Sequence, residues 1–289
     1  MTDLSWWPAP AKLNLFLHVV GRRDDGYHDL QTLFQLIERC DRIGLAVRDD
    51  GRIIRRQGLA GVAAEQDLAV RAALALQRHT GTPLGADIEV LKHIPVGGGL
   101  GGGSTDAATV LLGLNRLWRT GVSLDELARL GLALGADVPV FVQGNTAWGE
   151  GRGERLTAVT RLEPWFLVIH PGVAVSTASM FQAPELTRNS PVITIRDFSQ
   201  GGGSNAFEPI VRARHAAVGQ ALDWLGAQID THNAPIAARM TGTGACIFAS
   251  FDRAAEAERI AARVPDRWGS FVARGLNRSP LHIMLGLEG

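Results

Sequence analysis

A chain of 289 residues, 46% of them apolar, has the length for one large or two ordinary domains and ample material for a core. Its 29 basic and 29 acidic residues cancel, which removes the global positive field that nucleic-acid or anionic-membrane partners require. Two cysteines, Cys40 and Cys246, without metal-ligand spacing, predict a reducing, cytoplasmic setting; the lack of an apolar run of about 18 residues or of a leader pattern at Thr2–Trp7 points the same way.

In chain order, Ala11 to Val20 alternates with period two and predicts a strand. Leu13, Leu15, Leu17 and Val19 share one face; Lys12, Asn14, Phe16 and His18 share the other. Pattern alone reads the second face as solvated. All but two of the 29 basic residues are arginine, so Lys12 and Lys92 stand out; a compact ammonium at Lys12 is one reading and chance another. The turn Gly21–Gly26 leads to Tyr27-His28, a pair that either stacks on a flat polar ring or is ordinary surface. Gln31–Glu38 and Arg42–Val47 predict two further strands, with Asp49-Asp50-Gly51 as a hairpin turn into Ile53-Ile54. Glu65–His79 predicts an amphipathic helix ending near Gly81.

The next stretch carries the most information. A strand pattern, Ala86–Leu91, runs into Pro95-Val96-Gly97-Gly98-Gly99-Leu100-Gly101-Gly102-Gly103-Ser104-Thr105, and Ala107–Trp118 then reads as a helix with Ser104, Thr105 or Asp106 available as N-cap. Glycines let the backbone turn through positive φ and approach a ligand, while a helix N-terminus favours an anion, phosphate above all. The loop contains a formal Gly-x-Gly-x-x-Gly, but Ser123-Leu124-Asp125-Glu126 is a capping box that starts a second helix to about Leu134. A dinucleotide fold needs a strand there. No Gly-Lys-Ser or Gly-Lys-Thr occurs, so this is not a Walker A loop.

Asp137 then stands between a helix end and the apolar run Val138–Val142, where it either caps a turn or serves a site. Thr146–Gly153 is a Gly-punctuated strand and turn. The texture changes from about Leu156. Trp165–His170 predicts a strand, and Ser176–Phe181 a short helix. Residues 182–204 read as loop, with Gly201–Gly203 as a mobile connector, and Ile210–Gln228 as one long helix. Thr241-Gly242-Thr243-Gly244 introduces the strand Cys246–Phe251, followed by a helix over Asp252–Val264 and a closing strand near Phe271–Ala273.

Three stretches together, Pro10-Ala11-Lys12-Leu13-Asn14, the Pro95–Thr105 loop and Thr241-Gly242-Thr243-Gly244-Ala245, resemble the GHMP small-molecule kinase superfamily. Asp25-Gly26-Tyr27-His28, Gly135-Ala136-Asp137-Val138-Pro139 and Ser279-Pro280-Leu281-His282 sharpen the likeness towards its cytidylyl-polyol branch. The resemblance implies an α+β, two-domain GHMP kinase fold, with a ribosomal protein S5 domain 2-like N-terminal domain (1–155, ATP-binding) and a ferredoxin-like C-terminal domain (156–289) that contributes to the substrate cleft. It implies transfer of the ATP γ-phosphoryl to the tertiary 2-hydroxyl of a cytidylyl-methylerythritol substrate. Asp137 would be the general base and Lys12 would stabilise charge. The Pro95–Thr105 loop would hold ATP, with Asp67, where the family usually has Asn, near the adenine. Asn14, Tyr27, His28, Thr177, Phe181, Gly242, Thr243 and Gly244 would bind the substrate, Tyr27 and Phe181 sandwiching the cytosine while His28 reads its edge. Mg²⁺ is expected with ATP, at Ser104. Neither nucleic acid nor membrane is implied, and the chain would be a monomer or weak homodimer. The alternatives are another kinase of the superfamily, acting on homoserine, mevalonate or a sugar, and a nucleotide-binding protein without catalysis; Lys12 and Asp137 together argue for chemistry.

Overall fold

The computed structural model describes residues 3–57, 63–229 and 236–287. Its first feature is a long antiparallel pair, β1 (Ser5–Arg22) and β2 (His28–Arg48), joined by the Arg23–Tyr27 turn. The two strands expected between residues 31 and 47 are thus one. Its length follows from its partners. Leu30–Phe34 pairs with β5 (Ala147–Gly151), Leu36–Ile37 with β10 (Gly269–Leu276), and Arg42–Arg48 with β4 (Gly85–Leu91). The turn at Asp49–Gly51 is present, but β3 (Ile53–Arg55) pairs in parallel with β4 and not back on β2, so no hairpin forms.

Helices α1 (Leu68–Thr80), α2 (Gly102–Trp118), α3 (Leu124–Leu132) and α4 (Val138–Gln143) cover this part of the sheet. Their apolar faces close a core with Phe34, Leu36, Ile43, Leu45 and Ile88. The β-branched run Val138–Val142 is helical because Pro139 suits its first turn and Gly144 ends it at φ 68°. Strand β6 (Arg155–Ala158) pairs with β5.

The second half follows: β7 (Trp165–His170), α5 (Thr177–Gln182), α6 (Ile195–Ser199), α7 (Glu208–Arg214), α8 (Ala216–Gln228), β8 (Arg239–Met240), β9 (Ile247–Phe251), α9 (Ala254–Ala261), then β10 and α10 (Pro280–Leu285). The long helix expected over 210–228 is broken at His215, whose backbone leaves the helical region. The chain does not close on a strand near Phe271, because α10 follows. Strands β10, β7, β9 and β8 are antiparallel neighbours, and through β10 they join β2, so the ten strands among the described residues form one connected sheet. A shared core of Leu13, Leu15, Phe16, Ile37, Phe166 and Phe248 spans the junction.

That junction explains the failed expectation for β1. Phe16 is fully buried, and Lys12, Asn14 and His18 are 2%, 3% and 4% exposed, so both faces are covered. The Gly201–Gly203 run is likewise fastened. Leu17 N donates to Ser204 O and Ala206 N to Leu17 O, both within 2.9 Å, and a Cβ on Gly203 would press on Phe16. Among the described residues no helix is long and apolar enough to cross a membrane.

Candidate active site

The glycine loop leaves β4 and enters α2 through Gly97, Gly99 and Gly101, at φ 71°, 77° and 76°. Gly101 is the N-cap, so α2 begins three residues before the expected Ser104–Asp106 caps and has no side-chain cap. The first N–H groups of a helix lack intrahelical acceptors, which leaves this N-terminus open to an anion. The loop also packs against the Thr241–Gly244 turn. A Cβ on Gly99 would lie 2.4 Å from the Thr241 carbonyl oxygen, and one on Gly242 would lie 2.9 Å from that of Gly99. Cys246 N donates to Gly98 O at 3.0 Å, and Asn14 N to Thr241 Oγ1 at 2.8 Å.

Lys12 sits on β1 directly beside this loop, its side chain 3% exposed. A buried ammonium is costly unless its donors are met. They are: Nζ donates to Asn14 Oδ1 at 2.5 Å and to Gly99 O at 3.0 Å, and lies 3.1 Å from Asp137 Oδ2. Asn14 in turn donates from Nδ2 to Thr32 Oγ1 at 2.9 Å. Asn14, expected on the substrate, accepts from Lys12 at Oδ1 and spends one of its two Nδ2 N–H groups on Thr32, so it also holds Lys12. Asp137, at the start of α4, makes no cap bond, and its side chain is 34% exposed. It is the reachable member of the pair.

Cavities flank this pair. One, of about 260 Å³, is lined by the loop residues Pro95–Gly103 with Asp67, Lys92 and Asp106. The other, of about 560 Å³, is lined by Tyr27, His28, Thr177 and Phe181 together with Arg22, Arg152 and Arg188. Ala136, the neighbour of Asp137, also lines the larger one. Four expected substrate residues therefore converge. Phe181 is fixed against Phe207, rings 4.9 Å apart and edge-on, and lies 5.2 Å from the His28 ring. Tyr27, 51% exposed, carries the Arg152 guanidinium 3.9 Å from its ring centroid. Thr177 Oγ1 lies 3.0 Å from Thr243 Oγ1, which ties α5 to the turn.

Other expected residues are engaged within the protein. Gly242 and Gly244 brace the glycine loop through close backbone contact with Gly99, while Thr243 meets Thr177. Thr105 is fully buried and its N–H closes the helix onto Gly101 O at 2.9 Å. Ser104 stands half-buried beside the loop, its Oγ 3.6 Å from where a Cβ on Gly135 would be. Asp67 lines the loop cavity, but its oxygens are occupied: Oδ1 accepts from Ala69 N at 2.9 Å as the cap of α1, and Oδ2 from Arg55 at 2.7 Å.

Sequence reasoning missed several groups here. Lys92 Nζ bridges Asp41 and Asp106, the latter at 2.7 Å, beneath Gly102. Burial pushes the Asp106 carboxyl well above the usual carboxylate range, against the pull of Lys92. The rarity of lysine was the one available signal. Arg188 had none, since it falls in a stretch without pattern. Its Nε donates to His28 Nε2 at 3.1 Å, and burial, then Arg188, then Arg22 lower the His28 pKa.

The chain matches the family described as GHMP kinases N terminal domain over residues 67–145 and that described as GHMP kinases C terminal over residues 186–270. It is 56% identical over 289 residues to a 4-diphosphocytidyl-2-C-methyl-D-erythritol kinase of Halorhodospira halophila, spanning 99% of this chain and 98% of the relative. A kinase of the same name from Nitrosococcus oceani is 52% identical over 275 residues, with 95% and 96% covered. A crystal structure of 4-(cytidine 5'-diphospho)-2C-methyl-D-erythritol kinase superposes with a TM-score of 0.78 at 32% identity, covering 94% of this chain and all of that one. A homoserine kinase of Cytophaga hutchinsonii, at 19% identity and a TM-score of 0.69, shares the fold. With both GHMP kinase models matched and relatives this similar end to end, the chain belongs to the 4-diphosphocytidyl-2-C-methyl-D-erythritol kinase family of the GHMP kinases.

Proposed function

We propose that the chain transfers the γ-phosphoryl group of ATP to the 2-hydroxyl of 4-diphosphocytidyl-2-C-methyl-D-erythritol, with Asp137 as general base and Lys12 as its charge partner. The observation that carries the residue roles is the Lys12–Asp137 contact of 3.1 Å, set beside the glycine-loop cavity on one side and the aromatic cavity on the other. Phosphoryl transfer depends mainly on positioning and charge stabilisation. The loop and the α2 N-terminus supply donors for the ATP phosphates. Asp137 Oδ accepts the proton of the attacking hydroxyl, and Lys12, fixed by Asn14 and Gly99, offers positive charge to the group in transit. In the larger cavity Tyr27, Phe181 and His28 receive the cytosine, while Arg22 and Arg152 favour the substrate's diphosphate.

For Mg²⁺, the described residues hold no cluster of three His, Cys, Asp or Glu ligands. Mg²⁺ bound with ATP takes most of its ligands from phosphates and water, so a hard oxygen donor suffices, and the Ser104 hydroxyl near Gly135 fits. When bound, the ion neutralises phosphate charge. In this reading the chain works in the cytoplasm as a monomer or weak homodimer, its two cysteines free and buried or half-buried.

The test is ADP release from Mg-ATP with the cytidylyl-methylerythritol acceptor, beside homoserine, mevalonate and galactose. Turnover with the first alone is expected. Turnover with another acceptor instead would overturn the substrate, and silence with all four would overturn the chemistry.

A further inference from the structure

The interior of the larger cavity carries one more conclusion, which rests on the cytosine reading above. Arg188 reaches it from the segment after α5, and its donors are spread over neutral acceptors. Nη2 donates to Phe181 O at 3.1 Å and Ala183 O at 2.9 Å, Nη1 to Leu186 O at 3.1 Å, and Nε to His28 Nε2 at 3.1 Å. A guanidinium N–H can only donate. His28 Nε2 must therefore present its lone pair, which makes the ring neutral with its proton on Nδ1. Among the described residues Nδ1 has no hydrogen-bond partner, and the ring lines the cavity.

We propose that Arg188 is a positioning and specificity-determining residue: by occupying His28 Nε2 it leaves a single donor, Nδ1–H, facing the base, and so selects cytosine over uracil. Cytosine N3 is an acceptor and can take this proton. Uracil carries a hydrogen at N3, and two donors would oppose each other. A site that fixes one donor rejects a base without the matching acceptor, because the buried group is then unpaired. Arg188 touches Phe181 and His28 but not the base, so its effect passes through the imidazole.

Two measurements test this. Nitrogen NMR of labelled His28 should show a protonated Nδ1 and a bare Nε2. A proton on Nε2 in the unsubstituted protein would overturn the proposal, whether or not the chain turns over any substrate. Second, kcat/KM is compared for the cytidine substrate and its uridine counterpart. In Arg188→Met the cytidine preference should fall roughly tenfold or more, chiefly through KM, with the Nδ1–H signature lost. Arg188→Lys, which can still donate to Nε2, should restore part of both. If Arg188 serves only to pack the α5 end, both bases suffer alike and the ratio stays put, which sinks the idea. Should Arg188→Met fail to fold, His28→Ala decides the matter, since an unchanged ratio there excludes His28 as the discriminating donor. Absence of turnover by the unsubstituted chain with either base would count against the kinase reading, separately from the His28 signature.

Discussion

Lys12 and Asp137 show how two residues far apart in sequence come into direct contact. Asp137 caps nothing, so Asp137→Ala should keep the fold, as its circular dichroism spectrum reports, with a lowered melting temperature because buried Lys12 loses its counter-charge, while turnover falls roughly 10²–10⁴-fold, the span for a removed general base. A variant that turned over normally would end that assignment. Lys92 is the opposite kind of residue. It bridges Asp41 and Asp106, which are buried to 0% and 3% exposure, so Lys92→Met strands the Asp41 charge beside a second carboxyl and should cost about 3–5 kcal/mol in a denaturant melt. Adding Asp106→Asn should recover part of that loss. Both lysines were visible in the sequence as exceptions in an arginine-rich chain. Their burial was not visible, because period-two alternation says which residues share a face and is silent on what will cover it. The cover on β1 comes from Phe166, Phe248 and other residues far along the chain.

Among elements, the glycine loop was the most legible and its details the least. Its composition announced a turn into a helix, and the structure agrees. The helix nonetheless starts at Gly102, because positive φ at Gly101 ends the loop and no Ser or Asp cap is needed. Legibility was also poor where an element depends on a distant neighbour. The break at His215 and the parallel pairing of β3 have no local cause that a pattern could carry. The loop gives a pair of contrasting substitutions. Gly99→Ala places a Cβ 2.4 Å from Thr241 O at φ 77°; the left-handed backbone alone costs about 1–2 kcal/mol, and the clash adds to it. Gly103→Ala lies within α2 with its new methyl 3.4 Å from Leu68, and should be neutral or up to about 1 kcal/mol stabilising. Equal melting points for the two would contradict the loop-to-turn packing.

For the molecule as a whole, acid sensitivity follows from its buried imidazoles. Burial is the first cause lowering the pKa of His18, His28, His170 and His282 below the ordinary 6.5. The unfolded chain therefore takes up more protons as pH drops through 6.5, and the stability these groups confer is complete above that value and lost below it. Asp106 and Glu208, raised by burial, act in the other direction. Between pH 7.5 and 5.5 the melting temperature of His18→Gln should therefore fall less, or rise more, than that of the parent; an identical change in both proteins would remove His18 from the acid-sensitive set. The two-domain GHMP fold could be read from the resemblance, whereas the fusion of the parts into one sheet could not, since Leu36–Ile37 and Gly275–Leu276 share no sequence neighbourhood. That fusion bears on how the protein is made. Strand β10 completes the middle of β2, Leu281 enters the core beneath α2, and His282 Nε2 bonds Val142 O at 2.8 Å beside α4. A nascent chain emerging from the ribosome thus cannot seal its first-synthesised half until β10 and α10 have followed it out, and Asp137, the base proposed above, reaches its full surroundings only then.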